Sequence, residues 1–241
     1  MKKILNANQL KYIAITAMLI DHIAWKFLSL SGPLGFIAHL IGRMTIPIMC
    51  YFIAEGYHKT KDVKRYALRL FVFAAISHIP FFWLQKEHLP ADFTEFVAGL
   101  PETSVMWPLF LALIALIARN SEKLRSWMKI TIVIALCALA FSADWMFLPI
   151  IWALNFDIFR DEPKKQMLWF AVTTIPIALS EPVMYLSKGF GVVGWSFFQS
   201  GLLLAIIPLM LYNGQLGTKS RFSKWVFYVF YPLHMLILAL I

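Results

Sequence analysis

Charged residues are scarce in this chain. Asp, Glu, Lys and Arg make up 15% of its 241 residues, while hydrophobic residues make up 60%. Soluble domains carry about 25% charged and about 45–50% apolar residues. The composition therefore excludes an ordinary soluble domain. It predicts one integral membrane domain that covers residues 1–241.

The usual motifs of metal, redox and nucleotide-phosphate sites are also missing. The two cysteines, Cys50 and Cys137, both lie in apolar runs, which excludes a disulfide framework and indicates buried free thiols. The chain has no Gly-rich phosphate loop, no C-x-x-C pair and no H-E-x-x-H motif. We therefore expect no metal site.

Acidic residues are fewer than basic ones, 13 against 22, which gives a net charge of +9. Such an excess can indicate a nucleic-acid partner, but 18 of the 22 bases fall in five clusters at alternate loops. The positive-inside rule explains these clusters as cytoplasmic loops, so no nucleic-acid partner is predicted. The clusters are Lys2, Lys3, Lys11; Lys59, Lys61, Lys64, Arg65, Arg69; Arg119, Lys123, Arg125, Lys129; Arg160, Lys164, Lys165; and Lys219, Arg221, Lys224.

The alternation of basic loops and apolar runs predicts a polytopic bundle of transmembrane helices, an all-α fold. It also predicts a multi-pass protein of the cytoplasmic (inner or plasma) membrane with a cytoplasmic amino terminus. About nine spans fit the pattern: 10–30, 35–57, 66–85, 104–118, 127–142, 144–158, 166–187, 192–212 and 223–241.

Asp21 and His22 stand in the middle of a mostly apolar run, residues 13–30. An ionisable side chain at bilayer depth costs about 2.5–3.5 kcal/mol on insertion scales, so such residues mark functional sites by default. Further ionisable residues within the predicted spans include His39, Arg43, His78, Asp157, Glu181 and His234.

Several of these residues have a simpler structural interpretation. For His39 and His78 we favour hydrogen bonds between helices. Glu55, Asp157 and Tyr231 lie near the predicted cytoplasmic face, where solvated or capping roles are expected.

The spacing of Lys11 and His22 places both residues on one face of the first span, with Lys11 nearer the cytoplasm. Eleven residues along a helix return to within about 20° of the same face and rise about 16 Å. A lysine at the cytoplasmic mouth and an imidazole deeper in the membrane suit a long ligand with an anionic head and a reactive tail. Asp21 points about 100° away from His22. It is expected to meet another helix, for example at Arg43, which must be paired with Asp21, Glu181 or an anionic ligand.

Seven segments of the sequence together resemble the TraX family of membrane proteins. They are Leu10–His22, Gly42–Met49, Ala54–Thr60, Tyr66–Leu70, Ile76–Phe81, Leu211–Gly217 and Lys224–His234. The resemblance covers both ends of the chain, in the expected order.

The resemblance implies a membrane-embedded acyltransferase that moves an acetyl or other acyl group from cytoplasmic acyl-CoA to a hydroxyl or amine at the cell envelope. A related superfamily of multi-span acyltransferases shares a basic residue, ten further residues and a histidine in its first helix, which Lys11 and His22 match. His22 is then the candidate base, with Asp21 and Arg43 beside it in the catalytic site. The candidates for donor binding are Lys11, Arg69 and Lys59, and the further candidates are Glu55, His78, Tyr231 and His234.

The implied partners are membrane lipids, acetyl-CoA or another acyl-CoA, and an acceptor that is a pilin, a peptide, a lipid or a glycan. Two other classes of function remain open. Intramembrane acids, histidines and arginines also occur in proton-coupled transporters, although this chain shows no repeated halves. A non-catalytic membrane assembly protein would use the same residues only to lock helices together.

Overall fold

The computed structural model of the protein describes residues 3–189, 194–218 and 221–241, with side chains described from residue 225 onward in the last range. These residues form helices joined by turns and loops, with no strand apart from one isolated bridge between Leu5 and Tyr212, which confirms the all-α prediction. The α-helices are α1 (Ala7–Phe27), α2 (Pro33–Gly42), α3 (Thr45–Lys59), α4 (Val63–Lys86), α5 (Phe93–Gly99), α6 (Met106–Arg119), α7 (Ser126–Leu139), α8 (Leu148–Ile158), α9 (Pro163–Ala178), α10 (Ser180–Ser187), α11 (Ile206–Met210) and α12 (Arg221–Leu240), and a 3₁₀ helix covers Gly194–Ala205.

Helices cover much of the predicted spans, but the count of about nine spans stays a prediction, and residues 192 and 193 of one span lie outside the described residues. Among the described residues, three helical stretches are long and apolar enough to cross a membrane: Pro33–Lys59, Val63–Lys86 and Pro163–Ser187. Helix α1 is not one of them, although it is 21 residues long, because it carries Lys11, Asp21 and Lys26. The protein is therefore an all-helical membrane protein. The shorter apolar helices are Met106–Arg119, Ser126–Leu139, Leu148–Ile158, Gly194–Met210 and Trp225–Leu240.

The chain folds into two compact units. The first unit comprises Met1–Met49 and Phe159–Phe227, and the second comprises Cys50–Ile158 and Tyr228–Ile241. The assignment of all 241 residues to a single integral membrane domain stays a prediction.

Close backbone contacts hold the first unit together. Helix α2 packs on α1 and on the 3₁₀ helix. A Cβ at Gly42 would lie 2.2 Å from the Cβ of Asp21, and a Cβ at Gly201 would lie 1.9 Å from the carbonyl oxygen of Leu40. Glycine at these positions therefore allows α2 to approach both of its neighbours.

The start of α1 is tied to a distant segment, residues 211–218, which we call the 211–218 loop. The backbone N–H groups of Ile4 and Leu5 donate to the carbonyl oxygen of Leu211, and that of Ala7 donates to Gln215. Asn6 and Gln9 form a reciprocal capping box at the first turn, with hydrogen bonds of 2.9 and 3.0 Å. The amino end of α1 is thus fixed before the helix reaches Lys11.

Helix α6 is the centre of the second unit. It packs on α4, α7 and α8, and its residues Leu111 to Leu113, Ala115 and Leu116 are almost fully buried. The hydroxyl of Ser142 donates to the carbonyl of Pro101, so the turn between α7 and α8 is joined to the segment that precedes α6. This arrangement brings the ends of α6 and α8 to one side of the unit.

Candidate functional site

Asp21, in the middle of α1, is the centre of a buried polar cluster that we call the α1–α2 site. Its Oδ1 lies 2.7 Å from Nδ1 of His39, and its Oδ2 lies 3.5 Å from Nη2 of Arg43. Asp21 is 8% exposed, His39 0% and Arg43 7%. The carboxylate therefore joins α1 to the carboxyl-terminal end of α2 inside the first unit.

Aromatic rings enclose the cations of the α1–α2 site. The guanidinium carbon of Arg43 lies 5.6 Å from the centre of the Trp25 ring and 5.0 Å from that of Phe198. The Trp25 ring also lies 4.5 Å from the His39 ring, centre to centre. Because the rings keep water away from the charges, the ion pair is stronger here than at the surface.

The hydrogen bond to Asp21 fixes the tautomer of His39. A carboxylate only accepts, so Nδ1 of His39 carries the proton, and in the neutral ring Nε2 holds the lone pair. Nε2 is buried and has no hydrogen-bond partner among the residues that the structure describes. A buried polar atom without a partner costs about 1–3 kcal/mol. The cluster is thus an oriented imidazole beside a guanidinium.

Lys11 and His22 lie on the same uninterrupted helix, so the geometric basis of their predicted common face is present. Both side chains are half-buried, in contrast to Asp21. The ammonium group of Lys11 lies 5.2 Å above the centre of the Phe227 ring. The Phe227 ring therefore makes a cation–π contact with the Lys11 side chain.

The predicted ion pair between Asp21 and Arg43 is present, and the interhelical hydrogen bond predicted for His39 is confirmed. Within the described residues Arg43 pairs with Asp21 rather than with Glu181, which lies in the first turn of α10. Sequence reasoning did not connect His39 to Asp21. The sequence feature that could have indicated this contact is the position of His39 four residues before Arg43. That spacing places both side chains on one face of a helix, where both can meet Asp21.

The candidates for donor binding lie apart from one another in the chain and have different surroundings. Lys59 forms an ion pair of 2.5 Å with Glu55, one turn earlier in α3. The guanidinium carbon of Arg69 lies 5.8 Å from the centre of the Tyr66 ring, and Tyr228 lies within hydrogen-bonding reach. Glu55 is buried, so the solvated role predicted for it is wrong.

The other candidates belong to the interior of the second unit. Neither ring nitrogen of His78 has a hydrogen-bond partner in the described part of the chain, so the interhelical hydrogen bond expected for it stays a prediction. Its ring contacts Phe96. Tyr231 is buried rather than solvated, and its hydroxyl faces Ser104 without forming a hydrogen bond of good geometry. Nδ1 of His234 donates to the carbonyl oxygen of Phe230 at 2.7 Å.

The solvated role predicted for Asp157 is also wrong. Its side chain is 1% exposed, and three groups surround it: Nε2 of His58 and Nη1 of Arg119, each at 2.5 Å, and Nδ2 of Asn120 at 3.1 Å. We call these four residues the Asp157 cluster. The position of Asp157 near the end of a span had suggested exposure, but the ends of α3 and α6 cover it.

Comparisons with known proteins agree on one family. The family described as "TraX protein" matches residues 6–241 of this chain. A relative from Dichelobacter nodosus, described as "Probable fimbrial assembly protein FimC, serogroup H1", is 32% identical over 234 residues, which cover 97% of this chain and 94% of the relative. No solved structure matches the chain.

Proposed function

This chain belongs to the TraX protein family, and from that premise we propose that it is a membrane-embedded acyltransferase of the cell envelope. The donor is cytoplasmic acyl-CoA, with acetyl-CoA as the expected form, and the acceptor is a hydroxyl or an amine. We further propose a multi-pass protein of the inner membrane with about nine spans and a cytoplasmic amino terminus. The acceptor is a pilin, a peptide, a lipid or a glycan. A pilin has the support of the relative's description as a fimbrial assembly protein.

One observation carries the proposal. Helix α1 runs without a break through Lys11 and His22. Its rotation is fixed by Asp21, which His39 and Arg43 hold at a position about 100° around the helix from His22. The half-buried His22 is therefore presented on the Lys11 face, away from the buried ion pair. A base that meets substrate needs this combination of a fixed backbone and an accessible side chain.

In the proposed reaction, the acceptor oxygen or nitrogen attacks the thioester carbonyl carbon while His22 takes the acceptor's proton. The C–S bond then breaks and CoA leaves with the electron pair on sulfur. Imidazole suits this step because the ordinary pKa of histidine, about 6.5, lies near working pH. Asp21 and Arg43 are positioning residues in this scheme, since they act through α1. Lys11 holds the anionic part of the donor, with Arg69 and Lys59 as further donor-side candidates.

The test is acyl transfer by the purified full-length protein supplied with labelled acetyl-CoA, followed as release of the CoA thiol. We expect His22→Ala to lower the rate by about 10²- to 10⁴-fold, the usual contribution of a general base. His88→Ala is the matched control, because His88 is an exposed histidine in the loop after α4. Full activity of a folded His22→Ala protein would eliminate His22 as the base.

The donor contact has its own matched pair of variants on the same helix. Lys11→Ala should raise the KM for acetyl-CoA roughly tenfold, the effect of losing a charge-assisted hydrogen bond. Lys26, in the last turn of α1, carries the same charge at the opposite end, so Lys26→Ala should leave this KM unchanged. Equal effects of the two changes would remove Lys11 from the donor site.

A second candidate function is that of a non-catalytic protein for fimbrial assembly. The observation that favours it is the complete burial of His39 in the α1–α2 site, which suits a lock between helices. In that case no acyl transfer would be detected. Alanine at Asp21, His22 or Arg43 would then lower stability alike, and acetyl-CoA would not raise the melting temperature of the wild-type protein.

A further inference from the structure

The Asp157 cluster lies where three helices of the second unit end. His58 is the penultimate residue of α3, Arg119 is the last residue of α6, and Asp157 lies one residue before the end of α8. His58 belongs to the segment Ala54–Thr60, one of those that carry the family resemblance, and the proposed acyl transfer gives it no role. The function of the Asp157 cluster is therefore separate from the base chemistry of His22.

Asp157 holds two basic side chains in fixed positions. Its Oδ1 accepts from Nε2 of His58, while its Oδ2 accepts from Nη1 of Arg119 and from the amide of Asn120. Because both oxygens are occupied and the side chain is 1% exposed, the carboxylate itself is not available to a ligand. Its effect is to position the imidazole and the guanidinium next to each other.

The two basic side chains, in contrast, are partly open. The side chain of His58 is 27% exposed and that of Arg119 is 36% exposed. Within the described residues, Nδ1 of His58 and Nε and Nη2 of Arg119 form no hydrogen bond. A guanidinium with a free edge matches the geometry of a phosphate, which it binds through two parallel hydrogen bonds.

The charge around the cluster favours an anion. The segment 59–65, which begins one residue after His58, has four bases and one acid, a net charge of +3. The segment 119–125 has three bases and one acid, a net charge of +2. The carboxyl ends of helices oppose an anion, and the bases in the last turns of α3 and α6 offset this effect. Lys59 adds little to the positive charge around the cluster, because it forms an ion pair with Glu55.

We propose that His58 and Arg119, positioned by Asp157, bind a phosphate group. The inference rests on the proposed function for one detail, the expected source of that phosphate, which is the acyl-CoA donor. An anionic lipid head group has the same chemistry and is the other source. Asp157 is in either case a positioning residue, since it orients the two donors without touching the ligand.

The experiment measures binding of inorganic pyrophosphate and of CoA to the full-length protein in nanodiscs of phosphatidylcholine. We expect Arg119→Gln to weaken the binding of pyrophosphate and of CoA roughly tenfold, because it removes the charge-assisted hydrogen bonds between the guanidinium and the phosphate. Arg125→Gln is the matched control; Arg125 is an exposed arginine of the same loop, so its loss should change binding by about twofold at most. His58→Gln should also weaken the binding of both probes. This second variant tests the site if the Arg119→Gln protein does not fold.

A second arm uses nanodiscs that contain phosphatidylglycerol. If that lipid displaces pyrophosphate from the wild-type protein, the result supports the phosphate site and identifies a lipid head group as its natural ligand. The inference is overturned if folded Arg119→Gln and His58→Gln proteins bind as the wild type does, or if the wild type binds no probe in either nanodisc. Binding needs no acyl transfer, so failure of the proposed function with intact, Arg119-dependent binding would leave this inference standing.

Discussion

At the scale of single residues, each unit buries one aspartate between a histidine and an arginine. Asp21 pairs with His39 and Arg43 in the first unit, and Asp157 pairs with His58 and Arg119 in the second. A carboxylate is costly to bury unless it is paired and hydrogen-bonded, and a mixed His–Arg environment satisfies both oxygens. The two clusters differ in exposure: His39 is closed off, whereas His58 is partly open.

Asp21→Ala should destabilise the protein by about 3–5 kcal/mol, because it leaves Arg43 buried without its carboxylate. Unfolding of the purified protein in mixed micelles measures the change. Glu162→Ala is the control, since Glu162 belongs to an exposed ion pair with Lys165 and should cost no more than about 1 kcal/mol. Equal effects of the two changes would mean that the α1–α2 site contributes nothing beyond a surface pair.

Part of the residue-level picture was predictable from the sequence. An arginine within a span cannot lose its charge, so a partner for Arg43 had to exist, and Asp21 was an available one. The burial of Asp157 was not predictable, because its neighbours in sequence do not cover it. His58 and Arg119 do, and they lie 99 and 38 residues away.

At the scale of elements, helices approach each other most closely where one of them has a glycine. The 3₁₀ helix crosses α2 at Gly201, where the backbone carbonyl of Leu40 leaves no room for a Cβ. The pattern of apolar residues predicted a span over residues 192–212. It gave no indication that Gly194–Ala205 is a 3₁₀ helix. The difference comes from tertiary packing, which a hydropathy pattern does not contain.

Gly201→Ala should cost about 1–3 kcal/mol, because the new methyl group forces the 3₁₀ helix away from α2. Gly194 lies in the same 3₁₀ helix, but a Cβ there would meet no described residue within 4 Å. We therefore expect Gly194→Ala to be neutral within about 1 kcal/mol. Thermal unfolding of the two variants measures the difference, and equal melting temperatures would contradict the close contact.

The 211–218 loop offers a similar comparison between Gly214 and Gly217, which have φ angles of +79° and +82°. Alanine at either position carries the strain of a left-handed backbone, about 1–2 kcal/mol. At Gly217 the Cβ would also lie 2.7 Å from Oδ1 of Asn6, the atom that caps α1. Gly217→Ala should therefore be worse than Gly214→Ala by roughly 1 kcal/mol, the value of a helix cap. A melting temperature for Gly217→Ala equal to or above that of Gly214→Ala would speak against the contact.

At the scale of the whole molecule, the distribution of charge predicts which loops face the cytoplasm. The segments 59–65 and 119–125 are basic, whereas the loop between α4 and α6 carries Glu87, Asp92, Glu95 and Glu102. The positive-inside rule places the first two inside and the last outside.

Single cysteines test this arrangement in a protein whose Cys50 and Cys137 are replaced by alanine. A membrane-impermeant maleimide should label Glu95→Cys in cells whose inner membrane is intact. It should label Glu122→Cys only after that membrane is opened. Glu122 is exposed and the Glu95 side chain is 34% exposed, so both positions are accessible to the reagent in the folded protein. The reverse pattern would invert the topology and place the Asp157 cluster outside.

The tie between the start of α1 and the 211–218 loop also bears on biosynthesis. The Asn8 side chain donates to the carbonyl of Thr218, 210 residues later in the chain. At about 5–20 residues per second, translation takes roughly 10–40 s to supply that partner. During this interval α1 has its own capping box but none of its contacts with the 211–218 loop. The amino end that carries Lys11 therefore reaches its final position only after the 211–218 loop has been synthesised.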